Sequence, residues 1–168
     1  MACIEKIYSV SALVGNGACN ANCDFCAGKY LRPQAREQEH QKDSNYSKNL
    51  EAAIKLSARY GGWSLSLTGS GEPTCDPDAL TRALEVYHKC ANQGAYFPNV
   101  NLFTNGILFG DERFCDKYLG SWKELGLNNI AISVHSVDEA EQARVYHLKS
   151  YPKLEQIVSN VKSHGLGV

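Results

Sequence analysis

Three cysteines stand close together near the start of the 168-residue chain, in the string CNANCDFC at residues 19–26. Their spacing is C-x3-C-x2-C, and no fourth cysteine follows at short range. Thiolates this near to one another bind a single metal centre when the backbone wraps around it. A structural zinc site takes four protein ligands, whereas three cysteines on a four-iron cluster leave one iron open to another ligand. The string therefore indicates a metal site with one open position, and a three-cysteine zinc loop with a distant fourth ligand is the simpler alternative.

A second segment with chemical potential is TGSGEPT, at residues 68–74. Its two glycines let the backbone approach a ligand closely, and Pro73 stiffens the exit. Glu72 offers a carboxylate at the tip of a predicted strand. Alone, the segment would also fit an ordinary glycine-rich turn.

Together the two segments resemble those of the radical S-adenosylmethionine (radical SAM) superfamily. The C-x3-C-x-aromatic-C string, with Phe25 before the third cysteine, resembles the family's cluster loop. GSGEP resembles its Gly-Gly-Glu-Pro motif, with Ser70 in place of the more usual second glycine. The resemblance implies that Cys19, Cys23 and Cys26 hold a 4Fe-4S cluster. Its open iron would be chelated by the amino and carboxylate groups of S-adenosylmethionine.

The resemblance also implies roles for further residues around S-adenosylmethionine. Ser133 would meet the ribose, and the backbone of Phe25 the adenine. Asn105 belongs to a Thr-Asn-Gly tripeptide that is frequent in the family at the third strand tip. His135 is either a cofactor or substrate contact or a pore histidine without such a role. The methionine end would be held by Gly69, Ser70, Gly71 and Glu72.

The implied activity is that of an oxidoreductase-like radical enzyme. The reduced cluster would pass an electron to the sulfonium, and the C5′–S bond would break to methionine and a 5′-deoxyadenosyl radical that abstracts hydrogen from a substrate. The substrate is not identified by the sequence. A reducing donor such as flavodoxin or ferredoxin is the expected partner. The alternative from another class is a non-catalytic iron–sulfur or zinc-binding module.

Alternating strand and helix patterns predict the scaffold for these residues. The fold class expected is α/β, with parallel βα repeats forming a partial TIM-type barrel with right-handed crossovers. Residues 27–44 are polar and fit a solvated loop, a short surface helix or a flap beside the cluster, with His40 on the surface. Strands are predicted at residues 4–14, 63–68, 100–106 and 129–136, and helices at 47–60, 77–93, 111–125, 137–147 and around 154–161.

Alternation along the strands predicts which side chains face the helices and which face the lumen. Trp63, Leu65 and Leu67 are expected against the helices in the second strand, and Ile130, Ile132 and Val134 in the fourth. The small or polar residues between them, including Ser133 and His135, then face the lumen. Cys90 and Cys115 are expected as core residues of helices. Cys75 is either a substrate-facing thiol at a strand tip or a loop cysteine without a role.

Composition narrows the class of protein. The 17 basic and 18 acidic residues give a net charge of −1. The sequence therefore shows no excess of positive charge that would indicate binding to nucleic acid or to an anionic membrane. No secretory signal or apolar stretch of membrane-spanning length is evident. Seven cysteines, an odd number, favour a reducing compartment, so a cytoplasmic location is expected.

The chain length predicts one domain over residues 1–168, incomplete at its carboxyl end. A full eight-unit barrel needs about 250 residues. This chain supplies four βα units, and residues 165–168 look like the start of a fifth strand. We therefore expect a product shortened after the fourth unit or completed by a partner. An open edge at the fourth strand would favour self-association.

Overall fold

The central feature of the computed structural model, which describes residues 6–29 and 44–168, is a parallel sheet. Its strands follow the chain in the order β1-β2-β3-β4, and every neighbouring pair is parallel. Their carboxyl ends therefore meet at one edge of the sheet, where α/β proteins place their functional sites. The strands are β1 (Ser9–Leu13), β2 (Ser64–Thr68), β3 (Asn99–Thr104) and β4 (Asn129–Ile132).

Helices follow the strands, which confirms the predicted partial α/β barrel. Aspartates begin three of them. Asp76 accepts a hydrogen bond from Ala79 N at 3.1 Å, and Asp111 and Asp138 cap the next two helices in the same way. No helix in the described ranges combines the length and apolar character required to cross a membrane. The helices are α1 (Ser44–Arg59), α2 (Pro77–Asn92), α3 (Glu112–Glu124), α4 (Glu139–Val145) and α5 (Leu154–Ser163).

The core lies between the sheet and these helices. Leu65 and Leu67 of β2 are fully buried, as the alternation predicted, and so are Cys90 and Cys115 on their helices. One face of α2 is buried as well. It consists of Leu80, Ala83, Leu84 and Tyr87.

Two predicted core residues are exposed instead. Trp63 is 54% exposed and Val134 is 47% exposed. Each lies just outside a strand end, since β2 begins at Ser64 and β4 ends at Ile132. In a strand, the alternation of the backbone would point these side chains toward the helices. Neither residue belongs to a strand, so the alternation does not apply to them. The predictions for residues 1–5 and 30–43, including His40, fall outside the described residues.

The last residues of the chain pair with β4, as predicted for the start of a fifth strand. Gly167 forms a parallel bridge with Asn129. Ile130 N donates to Gly167 O at 2.9 Å, and Gly167 N donates to Asn128 O at 2.8 Å. The first part of β4 therefore has backbone partners on both sides.

Tyr87 joins α2 to the entry of β3, and its hydroxyl provides a test of the core. The hydroxyl donates to Phe97 O at 3.0 Å and accepts from Phe97 N at 3.1 Å. Tyr87→Phe leaves both buried backbone groups without this partner, so the free energy of unfolding should fall by about 1–3 kcal/mol. Urea denaturation measures the change. Tyr96→Phe, at a residue 63% exposed, is the matched control, and equal losses would contradict the assignment.

Candidate functional site

A cavity of about 250 Å³ opens where the cysteine loop meets the carboxyl ends of the strands. Cys19, Cys23 and Cys26 all line it. So do six of the residues predicted to contact a cofactor: Phe25, Gly71, Glu72, Asn105, Ser133 and His135. Gly69 and Ser70 are not among the lining residues. The fold thus brings together side chains from four separate segments of the chain.

The cysteine loop is held against the strand tips by hydrogen bonds. Glu72 N donates to Ala18 O at 2.8 Å, just before the first cysteine. Asn105 Nδ2 donates to Asn20 Oδ1 at 2.7 Å from the tip of β3. These two bonds fix the start of the loop against β2 and β3.

The close approach of the two motif segments requires glycine at two positions. A side chain at Gly71 would overlap the backbone of Gly17 and Ala18. A side chain at Gly28 would overlap the carbonyl of Ser70. The backbone carbonyl of Ser70 therefore lies against the end of the cysteine loop.

The Glu72 carboxylate is buried, with 5% of its surface exposed, and is engaged by four protein donors. Oε1 accepts from Thr74 N at 3.0 Å, from Thr74 Oγ1 at 2.7 Å and from Thr104 Oγ1 at 2.7 Å. Oε2 accepts one bond, from Asn105 N at 2.8 Å. The carboxylate therefore ties the tip of β2 to the tip of β3, and Oε2 is the oxygen that retains capacity for a ligand.

The thiols themselves form a donor set suited to iron. Burial raises the pKa of the Cys23 thiol, a backbone hydrogen bond opposes this, and the neighbouring Cys26 and Cys19 raise the pKa further against a smaller effect of Lys29. Within residues 6–29 and 44–168, no three His, Cys, Asp or Glu side chains converge closely enough to hold a metal ion. The sulfurs face one cavity without meeting at one point. Three soft sulfur ligands on one loop suit an iron–sulfur cluster, whose binding would deprotonate them.

An unpaired donor lies beside the first cysteine. Asn20 Nδ2 is buried and has no hydrogen-bond partner among residues 6–29 and 44–168. Its orientation is determined by Asn105, whose Oδ1 accepts from Ile107 N at 3.1 Å and whose Nδ2 therefore meets Asn20 Oδ1. A buried donor without an acceptor is costly, and its presence next to Cys19 fits a site that gains an acceptor when a ligand binds.

Aromatic rings form the opposite wall of the cavity. The His135 ring lies between Phe25 and Tyr146, at centroid distances of 5.0 and 5.4 Å. Tyr146 O also accepts from Asn22 N at 3.0 Å, which ties the end of α4 to the cysteine loop. Sequence reasoning missed Tyr146, because nothing in the composition of a short helical segment marks one tyrosine as a cavity residue.

Cys75 lies outside the residues that line the cavity. The thiol is half-buried, and burial, with the nearby Glu72 charge, raises its pKa to about 11. The backbone of Asn20, next to Cys19, has the opposite and smaller effect on this pKa. This placement supports the hypothesis of a loop cysteine rather than a substrate-facing thiol.

Comparison with known proteins identifies the family. The model of the Radical SAM superfamily matches residues 14–168. The chain belongs to the radical SAM superfamily. The match covers the cysteine loop and the strands β2, β3 and β4, so the predicted family and fold are confirmed, while the roles of single residues stay predictions.

Relatives of this radical SAM chain carry the name GTP 3′,8-cyclase. The protein of that name from Vibrio vulnificus (strain YJ016) is 29% identical over 161 residues, which cover 94% of this chain and 41% of the relative. The Pasteurella multocida (strain Pm70) protein is 27% identical over 160 residues, with the same coverage of each chain. A probable GTP 3′,8-cyclase from Thermoplasma volcanium is 23% identical over 158 residues, covering 90% and 40%. The chain spans about two-fifths of the length of these relatives.

Glu72→Gln tests the link between the strand tips. If the side-chain oxygen of the glutamine takes the place of Oε1, the side-chain NH2 takes the place of Oε2. The NH2 group then faces the Asn105 N–H, and two donors oppose each other without an acceptor. We expect the free energy of unfolding to fall by about 1–3 kcal/mol, measured by urea denaturation. Glu85→Gln, on the exposed face of α2, is the matched control and should change it by no more than about 0.5 kcal/mol. An equally small effect at Glu72 would show that the carboxylate does not hold the two tips together.

Proposed function

We propose that this chain is the cofactor-binding part of a radical SAM enzyme, with Cys19, Cys23 and Cys26 as ligands of a 4Fe-4S cluster. The observation that carries the proposal is the shared cavity. The three thiols line it together with the tips of β2, β3 and the segment after β4. The family match over residues 14–168 supports the same chemistry.

When bound, the cluster and S-adenosylmethionine together would supply the reductive cleavage that yields methionine and a 5′-deoxyadenosyl radical. The protein's own residues bind and orient. Glu72 Oε2 and the backbone at Gly69, Ser70 and Gly71 are proposed to hold the methionine end. The backbone of Phe25 is proposed for the adenine, and Ser133 for the ribose. Asn105 fixes the cysteine loop through Asn20, and its side chain lines the same cavity.

The aromatic wall is proposed to keep water away from the reacting atoms. His135, held between Phe25 and Tyr146, would close the side of the cavity that faces β4. The segment after β4 also carries Ser133, so cofactor contact and water exclusion would come from one stretch of backbone. A site that excludes water protects a reactive radical from side reactions.

GTP is the first substrate to test, because the relatives with 23–29% identity are named GTP 3′,8-cyclase or probable GTP 3′,8-cyclase. The cavity lining in the described ranges includes no lysine or arginine. A triphosphate would therefore need cations from elsewhere than these lining residues. The supply of electrons by a flavodoxin or ferredoxin is part of the same proposal.

The deciding experiment is anaerobic reconstitution with iron and sulfide, followed by addition of S-adenosylmethionine. We expect about four irons per chain and a visible absorption band. The electron paramagnetic resonance signal of the reduced protein should change when the cofactor is added, and 5′-deoxyadenosine should form under reduction. A colourless protein that retains only zinc and does not respond to S-adenosylmethionine would instead support a non-catalytic metal module.

Cysteine variants test the ligand assignment. Cys19→Ala, Cys23→Ala and Cys26→Ala should each lose most of the bound iron, because each removes one of three sulfur ligands. Cys75→Ala is the matched control near the same loop, and it should retain iron because its thiol lies outside the cavity. Iron and sulfide analysis of the purified variants measures this. A full cluster in any of the three loop variants would refute the assignment.

A further inference from the structure

Gln142 is a fully buried glutamine on α4, with no surface exposed. Its Oε1 accepts from His135 N at 2.8 Å and from Ser136 N at 2.9 Å. Its Nε2 donates to Ser133 O at 3.1 Å. One side chain therefore binds three backbone groups of the segment that follows β4, and that segment carries two residues of the cavity wall.

This segment depends on Gln142 because the sheet no longer supports it. β4 ends at Ile132, and Ser133 N makes the last bond to β3, to Thr104 O at 2.9 Å. Beyond that point the amides of His135 and Ser136 bond to the glutamine instead of to a neighbouring strand. The side-chain amide thus replaces a strand partner, and a buried amide left without one would cost free energy.

Gln142 also connects β4 to the tip of β3. Ser133, which accepts from Gln142 Nε2, donates its own N–H to Thr104 O at 2.9 Å, and the neighbouring Tyr151 hydroxyl donates to Asn105 O at 2.8 Å. Asn105 in turn binds the Glu72 carboxylate and the cysteine loop. The buried amide therefore belongs to one network with the strand tips.

We propose that Gln142 is a positioning residue for the cofactor pocket: it sets the place of Ser133 and His135 on the cavity wall and thereby the affinity for S-adenosylmethionine. This inference rests on the proposed function. Gln142 itself is not among the residues that line the cavity, so it acts through the backbone that it holds.

The structure predicts that cofactor affinity and cluster content respond differently to a change at position 142. The cysteine loop is tied to α4 through a backbone bond, from Asn22 N to Tyr146 O at 3.0 Å. A substitution of the Gln142 side chain leaves that bond in place. The loss should therefore appear in binding of S-adenosylmethionine and not in assembly of the cluster.

The test compares Gln142→Met with wild type in the reconstituted full chain. Methionine has a similar length but makes none of the three hydrogen bonds. We expect the Kd for S-adenosylmethionine, from a titration followed by electron paramagnetic resonance, to rise about tenfold or more, because displaced Ser133 and His135 lose contacts with the cofactor. Iron content should stay within about 20% of wild type, a margin above routine assay scatter, since no ligand changes. Gln93→Met, at an exposed position just after α2, is the matched control.

Each outcome decides the proposal. Equal affinities in the two variants, or a loss of iron as large as the loss of affinity, would overturn it. If Gln142→Met does not fold, amide hydrogen exchange of the wild-type protein gives the answer. The amides of His135 and Ser136 should then exchange slowly although they lie outside the sheet, and exchange at the rate of free peptide would overturn the inference. Wild-type protein that assembles no cluster would refute the proposed function instead, and the exchange measurement would still decide the role of Gln142.

Discussion

The buried carboxylate of Glu72 is the interaction on which the arrangement of the site depends. It accepts bonds from the residues that follow β2 and from the tip of β3, with Thr104 Oγ1 at 2.7 Å and Asn105 N at 2.8 Å. The backbone of the same residue reaches Ala18 at the start of the cysteine loop. A charge is removed from water only when enough donors compensate it, and four donors do so here. The carboxylate and the backbone N–H of Glu72 together therefore join three segments that are distant in sequence.

The second constraint is steric and comes from glycine. Charge-assisted bonds can hold the loops together only if the backbones approach closely, and the positions of Gly71 and Gly28 leave no room for Cβ atoms. The attraction at Glu72 and the absence of side chains beside it act together. This is why the glycine-rich segment is informative as a motif even though each glycine alone is a common turn residue.

Much of the scaffold was predictable from the sequence because its causes are local. The helix predicted at residues 77–93 and the alternation of Leu65 and Leu67 follow from side-chain period, and the structure confirms them, with α2 at Pro77–Asn92 and both leucines buried. Trp63 and Val134 were predicted wrongly because alternation does not reveal where a strand ends. The sequence shows which residues are apolar, but the burial of a residue at a strand end depends on how far the covering helix extends.

The contacts that build the candidate site were mostly beyond sequence reasoning, because they join residues far apart in the chain. Motif spacing identified the cysteines and Glu72, but the hydrogen bond from Asn105 to Asn20 spans 85 residues and has no local signature. Gln142 is a clearer case, since a glutamine in a short helix reads as a surface residue. Gln142 is buried where its side chain binds the backbone amides that follow β4. Those amides have no strand partner because β4 ends at Ile132.

The site thus consists of two parts that are fixed by different means. The tips of β2 and β3 are joined by a carboxylate bound to donors within the sheet edge, and this part also holds the cysteine loop. The wall after β4 is held from behind by Gln142 of α4 and by Tyr146, the residue that follows α4, whose hydroxyl donates to Ser133 O at 2.7 Å. The hydrogen bonds of the wall come from Gln142 and Tyr146, whereas Glu72 makes those that join the strand tips, so a substitution in one part removes no hydrogen-bonding side chain of the other. In a pocket of this kind, the geometry of the cysteine loop and the fit of the ligand can be adjusted separately by substitution.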